Sequence, residues 1–185
     1  MTIRSFADIA FTPTVKALQE DAGSRASYAR MEGAGGNLGP REWAFLAERD
    51  SFYMASVSET GWPYVQHRGG PAGFLRVLDT DTIGFADFQG NKQYVSTGNL
   101  MNDDRVSLIL VDYPNQQRLK LLGHVRIIGT DGTPEDCAAL EMLELPDYRA
   151  RVERGFLIDI SALDWNCPQH ITRRYTLEEI AAANV

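Results

Sequence analysis

Apolar and polar positions alternate through the middle of the chain, and this pattern predicts a series of short β-strands. Residues 118–128 show it most clearly, because Leu119 and Leu121 fall on one face while Arg118 and Lys120 fall on the other. A period of two is typical of a strand that buries one face. Residues 105–111 are rich in Val, Leu and Ile, which favours a central, well-buried strand. Together with the turn signals between them, these patterns predict strands over residues 52–58, 62–68, 74–78, 82–88, 105–111, 118–128 and 156–160.

Helix signals flank this strand-rich block and interrupt it once. Thr12 followed by Pro13 is an N-cap with proline at the first helical position, and Pro40 opens a second helix. A short helical insertion is expected over residues 92–101. Thr133 is a good cap for a further helix that runs to Leu145, and a last short helix covers residues 177–183.

Successive strands joined by tight turns, with few helices, suggest an antiparallel barrel. We therefore predict a mainly β protein with flanking helices, of the α+β class, built on a small closed barrel with a cationic rim. No linker is long enough to divide the chain, so residues 1–185 are expected to form one domain. Within it, residues 1–40 are predicted to be an N-terminal helical extension, and residues 41–185 the barrel with its flanking helices.

Composition and charge exclude several classes of function. The net charge of −7 argues against general nucleic-acid binding, which needs a basic face. No apolar run approaches the roughly 20 residues of a membrane span, and the N-terminus lacks signal-peptide features. A cytoplasmic protein without membrane or nucleic-acid partners is therefore expected, in which Cys137 and Cys167 are two reduced thiols.

Several cationic and amide side chains lie near predicted strand ends, as a phosphate site requires. Residues 90–93 offer Asn91, Lys92 and Gln93 at the expected start of a helix, and Arg68 ends a neighbouring strand. The alternative is that Lys92 and Gln93 are merely solvated. Arg118 and Lys120 share one face of their strand, and the alternative for them is an ordinary exposed polar face. A tryptophan in a small domain is more often a core residue than a ring-stacking partner.

The sequence contains no motif for metal binding or for other common catalytic and nucleotide-binding sites. The three histidines, His67, His124 and His170, lack metal-site spacing, and no metal site is expected. The chain contains no GxSxG, P-loop or GxGxxG motif.

The order of these elements resembles the pyridoxamine 5′-phosphate oxidase superfamily, the FMN-binding split barrels. Residues 66–68 resemble the family's arginine-bearing strand, residues 83–87 its aromatic-rich strand, and residues 90–92 its phosphate motif, in which the lysine is retained as Lys92. The segment from Leu100 to Asp104 is similar to the segment that closes the family's helix, and residues 118–123 to a later strand. Trp165 and a C-terminal arginine resemble further family positions.

The resemblance implies a homodimer that binds FMN in a groove between subunits. It also implies a flavin-dependent oxidoreductase that takes a small-molecule substrate and electrons from NAD(P)H, with the substrate unassigned and no side chain required as acid or base. Asn91, Lys92, Gln93 and Arg68 would hold the phosphate, and the backbone of residues 85–87 would line the ring. The complete set of expected cofactor-binding residues is Gln66, Arg68, Phe85, Ala86, Asp87, Asn91, Lys92, Gln93, Arg118, Lys120, Trp165, Arg173 and Arg174.

Three alternatives stay open at the level of the sequence. The chain could store a flavin without turning over a substrate. The same fold could hold haem, with His67 or His170 as the ligand. It could also hold a deazaflavin, whose longer anionic tail would depend on Arg173 and Arg174 together.

Overall fold

The computed structural model describes residues 3–33, 35–165 and 168–183. One sheet dominates the described part of the chain, and short helices lie around it. The strands are β1 (Arg4–Ser5), β2 (Ser51–Val57), β3 (Pro63–Gly69), β4 (Arg76–Val77), β5 (Thr82–Phe88), β6 (Arg105–Asp112), β7 (Gln117–Gly129) and β8 (Val152–Trp165). The helices are α1 (Phe6–Ala10), α2 (Pro13–Asp21), α3 (Arg25–Ala29), α4 (Pro40–Ala47), α5 (Val95–Leu100), α6 (Pro134–Leu143) and α7 (Leu177–Ala183).

The sheet has the strand order β3-β2-β6-β7-β8-β5-β4, and all of these neighbours are antiparallel. Among the described strands, only the two-residue strand β1 pairs in parallel, with β8. The sheet curls until the guanidinium of Arg68 on β3 reaches the carboxylate of Asp87 on β5, at 2.7 Å. No ladder of hydrogen bonds joins these two strands in the described structure, so the barrel is split. The closed barrel expected from the strand pattern is wrong, whereas the antiparallel split barrel that the family resemblance implies is confirmed. We call the gap between β3 and β5 the seam.

Two apolar clusters hold the curled sheet together. The larger one fills the barrel, where Phe52, Phe74, Phe85 and Phe156 are almost completely buried. Burying four phenylalanine side chains contributes about 1.5–3 kcal/mol each to folding. The smaller cluster lies outside the barrel under α6 and is built from Ala86, Ile128, Leu140, Leu143 and Leu157.

A β-bulge and a glycine set part of the curvature. The register between β7 and β8 shifts between Leu122 and Gly123. A Cβ atom at Gly123 would lie 2.6 Å from the backbone oxygen of Asp159, so only glycine allows this close approach. Bulges bend a strand and increase its twist, which is how a sheet of this length folds back on itself.

The expected strands all exist, most with bounds shifted by one or two residues, and three elements depart more clearly from expectation. The helix expected over residues 92–101 begins only at Val95. The strand expected over residues 156–160 extends over Val152–Trp165, because its neighbours β5 and β7 offer pairing partners along its whole length. The strand expected over residues 74–78 shrinks to Arg76–Val77, since Phe74 and Leu75 turn into the core.

The N-terminal segment packs against the sheet through β1 and α1. Ile3 and Ala7 are buried there, whereas α2 has no buried residue. Across the described ranges, no helix has the length and apolar character needed to cross a membrane. Cys137 is a free thiol, and Cys167 lies outside the described residues.

Candidate functional site

The loop between β5 and α5 closes a cavity of about 220 Å³ at the seam. We call this cavity the seam pocket. It collects six of the residues that the sequence singled out, contributed by β3, β5 and the loop: Gln66, Arg68, Asp87, Asn91, Lys92 and Gln93. Its remaining lining comes from Tyr64, Phe88, Gly90, Tyr94, Val95, Ser96, Thr97 and Glu153.

Both ends of this loop are fixed to the sheet. At its start, the backbone N–H of Gln89 donates to the carbonyl of Arg151 at 2.8 Å. At its end, the buried side chain of Asn99 on α5 donates to the hydroxyl of Ser56 on β2 at 3.0 Å. A hydrogen bond between two buried polar groups is costly to lose, so these contacts hold the loop over the pocket.

Within the loop, two residues adopt a left-handed backbone that side chains seldom take. Lys92 has a φ of 61° and Tyr94 a φ of 53°. The side chain of Asn91 accepts from the N–H of Gln93 at 3.2 Å and fixes the turn between them. Such backbone strain costs on the order of 1–3 kcal/mol per residue and clusters at ligand sites.

The helix that follows is shorter than expected and does not contain Lys92 or Gln93. It spans only Val95–Leu100, and Tyr94 occupies its N-cap position without a side-chain cap. The two predicted phosphate ligands therefore project from a tight loop rather than from a first helical turn.

A cluster of alternating charges forms the inner wall of the seam pocket. Asp87 lies between two arginines, with Arg68 Nη1 at 2.7 Å and Arg154 Nε at 3.4 Å. Arg154 also donates to Glu153 at 2.7 Å, and its guanidinium lies 4.8 Å from the centre of the Tyr94 ring. The arginine charges are thus largely matched by carboxylates.

Burial changes the protonation preferences inside this cluster. It lowers the pKa of Arg68, against the raising effect of Asp87. It raises the pKa of Asp87, against the lowering effects of Arg68 and Arg154. Both shifts have the same physical cause, because the wall offers few water contacts to its charges. An arginine nevertheless stays protonated at any ordinary pH.

Lys92 differs from Arg68 because no carboxylate pairs with it. In residues 3–33, 35–165 and 168–183, no acidic group lies within ion-pair distance of its ammonium. An unpaired lysine on a loop at the mouth of a cavity is available to an anionic ligand.

Arg68 also carries an unused donor. Its Nε atom is buried and has no hydrogen-bond partner among the described residues. Buried donors are almost always satisfied in native proteins, so this atom points to an acceptor that belongs in the pocket.

The other residues predicted for the site do not line the seam pocket, although Phe85 and Ala86 line a smaller cavity of about 140 Å³ next to it, together with Arg68 and Asp87. Phe85 is buried in the barrel, with its ring stacked on Phe156 at 5.1 Å, and Ala86 is buried beside it. Lys120 pairs with Asp164 at 2.9 Å, away from the seam pocket.

The C-terminal candidates are also separate from the seam pocket. Trp165 donates to Glu42 at 2.7 Å and packs edge-on against Phe45, which fastens α4 to β8. Arg173 donates to the side chain of Gln116 at 3.1 Å. Arg118 and Arg174 line a different cavity on the outer face of the sheet.

Sequence reasoning missed six residues of the wall and lining: Tyr64, Phe88, Tyr94, Val95, Glu153 and Arg154. Arg154 is opposite Asp87 in the register between β5 and β8. The apolar pattern that marked a strand from residue 156 stops short of it, so no local signal indicated that it joins the site. Only the alternation along β3, which puts Tyr64 on the face of Gln66 and Arg68, was available in the sequence.

The histidines and acidic residues give no metal centre. Among the described residues, no group of three or more His, Cys, Asp or Glu side chains is placed to hold a metal ion. His67 packs edge-on against Tyr53 at 5.5 Å, and His170 lies in the cavity of Arg118 and Arg174.

Comparisons with known proteins agree with the split-barrel fold. The family model for pyridoxamine 5′-phosphate oxidase matches residues 40–150, which include the whole loop and most of the sheet. The chain belongs to the pyridoxamine 5′-phosphate oxidase family. None of the curated proteins matches the chain.

Solved structures of other proteins share the fold at low sequence identity. The HupZ protein of Group A Streptococcus is 16% identical with a TM-score of 0.52, over 73% of this chain and 98% of its own. An FMN-binding protein from Syntrophomonas wolfei is 12% identical with a TM-score of 0.50, over 81% of this chain and 97% of its own. At this level of identity the similarity shows the fold alone.

Proposed function

We propose that the seam pocket binds FMN and that the protein is a flavin-dependent oxidoreductase. The observation that carries this proposal is the convergence of Lys92, Asn91, Gln93 and Arg68 on one cavity. A phosphate monoester needs several donors that meet at one point, at least one of them cationic. The name of the Syntrophomonas wolfei structure, an FMN-binding protein of the same fold, supports the choice of flavin.

The residues present fit a phosphorylated ligand. The unpaired ammonium of Lys92 supplies charge, and the buried Nε atom of Arg68 supplies a donor that lacks an acceptor among the described residues. When bound, the flavin supplies hydride transfer at its N5 atom. The chain's own residues then have three tasks: the loop holds the phosphate, the charged wall orients it, and the apolar barrel beneath excludes water.

We further propose that the protein is a homodimer. The outer face of the β2–β3 hairpin exposes large apolar side chains, including Trp62 at 75% and Val65 at 60% of their surface. Val57 lies beside them and is also exposed. We propose that a second copy of this chain covers this face.

Sedimentation of the wild type and of a Val65→Lys variant would test the proposed homodimer. A monomeric wild type would contradict this part of the proposal.

The visible absorption spectrum is the direct test of flavin binding. We expect the purified protein to retain flavin bands after FMN is added and the sample is desalted, at one flavin per chain. Anaerobic addition of NADH or NADPH should then bleach those bands if the protein is an oxidoreductase. Retained flavin that neither nucleotide reduces would favour a storage protein. A colourless protein that develops a sharp Soret band with haem would contradict the flavin proposal.

Asp87→Asn should strengthen FMN binding by about tenfold, or about 1.4 kcal/mol. In the wild type, the Asp87 carboxylate competes with a ligand phosphate for Arg68 and repels it. Because burial already raises the pKa of Asp87 and so favours its neutral form, the uncharged isostere is expected to be tolerated. Quenching of flavin fluorescence during titration measures the affinity.

A matched control separates this effect from the general loss of an ion pair. Asp164→Asn removes the partner of Lys120 outside the seam pocket and should leave FMN affinity unchanged. Riboflavin, which lacks the phosphate, should bind wild type and Asp87→Asn equally. Weaker FMN binding by Asp87→Asn would show instead that the carboxylate is needed to position Arg68.

A further inference from the structure

Another cavity, of about 420 Å³, lies between α4 and β4. We call it the edge cleft. Trp43 and Ala47, one turn apart on α4, form one wall, and the segment that includes β4 forms the other. None of the residues that line the edge cleft lines the seam pocket or the cavity of Arg118 and Arg174.

The open edge of β4 carries backbone groups that no neighbouring strand uses. β4 is the last strand in the order of the sheet and, among the described strands, pairs only with β5. The N–H of Leu78 donates to the carbonyl of Thr82 at 2.9 Å, so the alternating antiparallel pattern turns the N–H and C=O of Val77 away from β5. Outside the strand ladders, no backbone hydrogen bond of the described residues involves Val77. Such an edge is a template for another extended chain.

The open part of this edge is short. Just beyond β4, the N–H of Leu38 donates to the carbonyl of Thr80 at 2.8 Å and so covers the edge. At the other end of β4, Phe74 is buried in the core. An added strand therefore has room for about three residues, roughly 10 Å in length. The edge cleft suits the end of a peptide chain better than a strand that passes through it.

The charges at the two ends of the edge cleft give a bound chain its direction. Arg76 takes part in no ion pair among the described residues, and its buried Nε atom has no hydrogen-bond partner there. Asp79 lies at the other end, where its carboxylate accepts from the N–H groups of Asp81 and Thr82, each at 2.9 Å. A terminal carboxylate is attracted by Arg76 and repelled by Asp79. The added chain therefore runs antiparallel to β4.

The walls of the edge cleft suit apolar side chains. The Trp43 ring lines the cleft and is 42% exposed. Leu75, Val77 and Leu78 line the opposite wall. Apolar walls around a few convergent polar groups are the usual composition of a binding site.

We propose that the edge cleft binds the carboxyl-terminal residues of an extended peptide with apolar side chains. The peptide adds a short antiparallel strand to β4, with its backbone bonded to Val77, its terminal carboxylate on Arg76 and an apolar side chain against Trp43. Strand addition at a sheet edge and capture of a terminal carboxylate are both recurring modes of peptide recognition. This site does not depend on the flavin proposed for the seam pocket.

Titration calorimetry of the full chain with short peptides tests the proposal. The probe is acetyl-Ala-Val-Leu with a free carboxylate. Its C-terminal amide lacks the charge, an analogue with a methylated nitrogen in the central residue lacks one strand donor, and acetate represents the carboxylate alone. We expect the probe to bind, the amide and the methylated analogue each to bind about tenfold more weakly, and acetate not to bind.

Variants locate the binding in the edge cleft. Arg76→Gln and Trp43→Ala should each weaken binding of the probe about tenfold, because they remove the partner of the carboxylate and the largest apolar contact. Val77→Pro should have a similar effect. Proline removes the N–H that faces the cleft, which the ladder to β5 does not use, and edge strands tolerate proline.

Arg126→Gln and Trp62→Ala are the matched controls. Arg126 pairs with Asp136, Trp62 is exposed at the start of the β3 hairpin strand, and neither lines the edge cleft. Both variants should bind the probe as the wild type does. Trp43 is exposed, so Trp43→Ala keeps the test valid if Arg76→Gln fails to fold.

Three results would overturn the proposal. These are no binding of the probe, equal binding of the probe and its amide, and unchanged binding by the double variant Trp43→Ala/Arg76→Gln. Flavin retention is measured separately on the same samples by visible absorption. Absence of probe binding with retained flavin would therefore reject the edge cleft alone, and the reverse result would reject the flavin proposal alone.

Discussion

Phe156→Ala should lower the free energy of unfolding by about 3–5 kcal/mol, the range for removing a buried phenylalanine from a core. The side chain is fully buried, and its ring stacks on Phe85 at 5.1 Å. Truncation would leave a cavity in the larger apolar cluster that the split sheet cannot close, since the surrounding strands are held by their ladders. Chemical denaturation followed by circular dichroism measures the loss.

Phe11→Ala is the matched control for this substitution. Phe11 contacts Tyr28 in the N-terminal segment, outside both apolar clusters, so its truncation should cost much less. A Phe156→Ala variant with an unfolding free energy within about 1 kcal/mol of the wild type would contradict the packing described for the barrel.

The same residue links the core to the seam pocket. The guanidinium of Arg68 lies 5.2 Å from the centre of the Phe156 ring, so the ring packs against the arginine on the core side. Phe156→Leu is expected to fold and to keep most of the core volume, while it removes this flat surface. A weaker FMN affinity in Phe156→Leu, with normal secondary structure, would show that the core positions the arginine.

Much of the fold could be predicted from the sequence because strand patterns are local. The alternation along β7 and the turn signals at residues 59–61 and 79–81 depend only on neighbouring residues. What local patterns cannot give is the curl of the sheet. It depends in part on the register shifts between Leu122 and Gly123 and between Asp87 and Phe88, and it decides which strand ends meet.

The residues of the candidate site also divide into those that local sequence reveals and those whose position depends on the strand register. Asn91, Lys92 and Gln93 could be predicted to lie together because they are consecutive in the sequence. Arg68 could be added to them because it ends the strand that resembles the family's arginine-bearing strand. Arg118 was grouped with them from its strand face and from the family resemblance, which implies a flavin contact on this strand. The register puts that face on the outside of the sheet, in line with Val111, whereas Arg68 pairs with buried Phe52 on the core face.

The charge wall could not be predicted, because it is formed by pairing between distant segments. Arg154 is far from Asp87 in the sequence but directly opposite it across the β5–β8 ladder. The strand that carries Arg154 begins before the apolar residues by which the sequence marks this strand. The charges that a phosphate would meet are therefore fewer than the sequence suggests, since each wall arginine already has a carboxylate partner.

This matching of charges makes Lys92 the decisive residue for FMN affinity. Lys92→Ala should weaken FMN binding by about 1.5–3 kcal/mol, the range for a hydrogen bond to a charged group. Arg68 has to share its guanidinium with Asp87, whereas no carboxylate in the described ranges competes for Lys92. Fluorescence titration of the apoprotein with FMN measures the difference.

Variants at the same position separate the charge of Lys92 from its backbone. Lys92 has a φ of 61°, which glycine adopts without strain and other residues do not. Lys92→Met keeps the length and the strain but loses the charge, and Lys92→Gly loses the charge and relieves the strain. If both bind FMN as weakly as Lys92→Ala while Lys92→Arg binds normally, the ammonium charge is the cause.

Lys16→Ala is the control for removing a lysine elsewhere, because Lys16 pairs with Glu32 in the N-terminal segment. It should leave FMN affinity unchanged. Riboflavin affinity should also be the same in wild type and Lys92→Ala, since riboflavin has no phosphate for the ammonium to bind. An FMN affinity that does not change in Lys92→Ala would remove this residue from the phosphate site. The anion would then have to bind at Arg68 and Arg154, with the Asp87 carboxylate displaced.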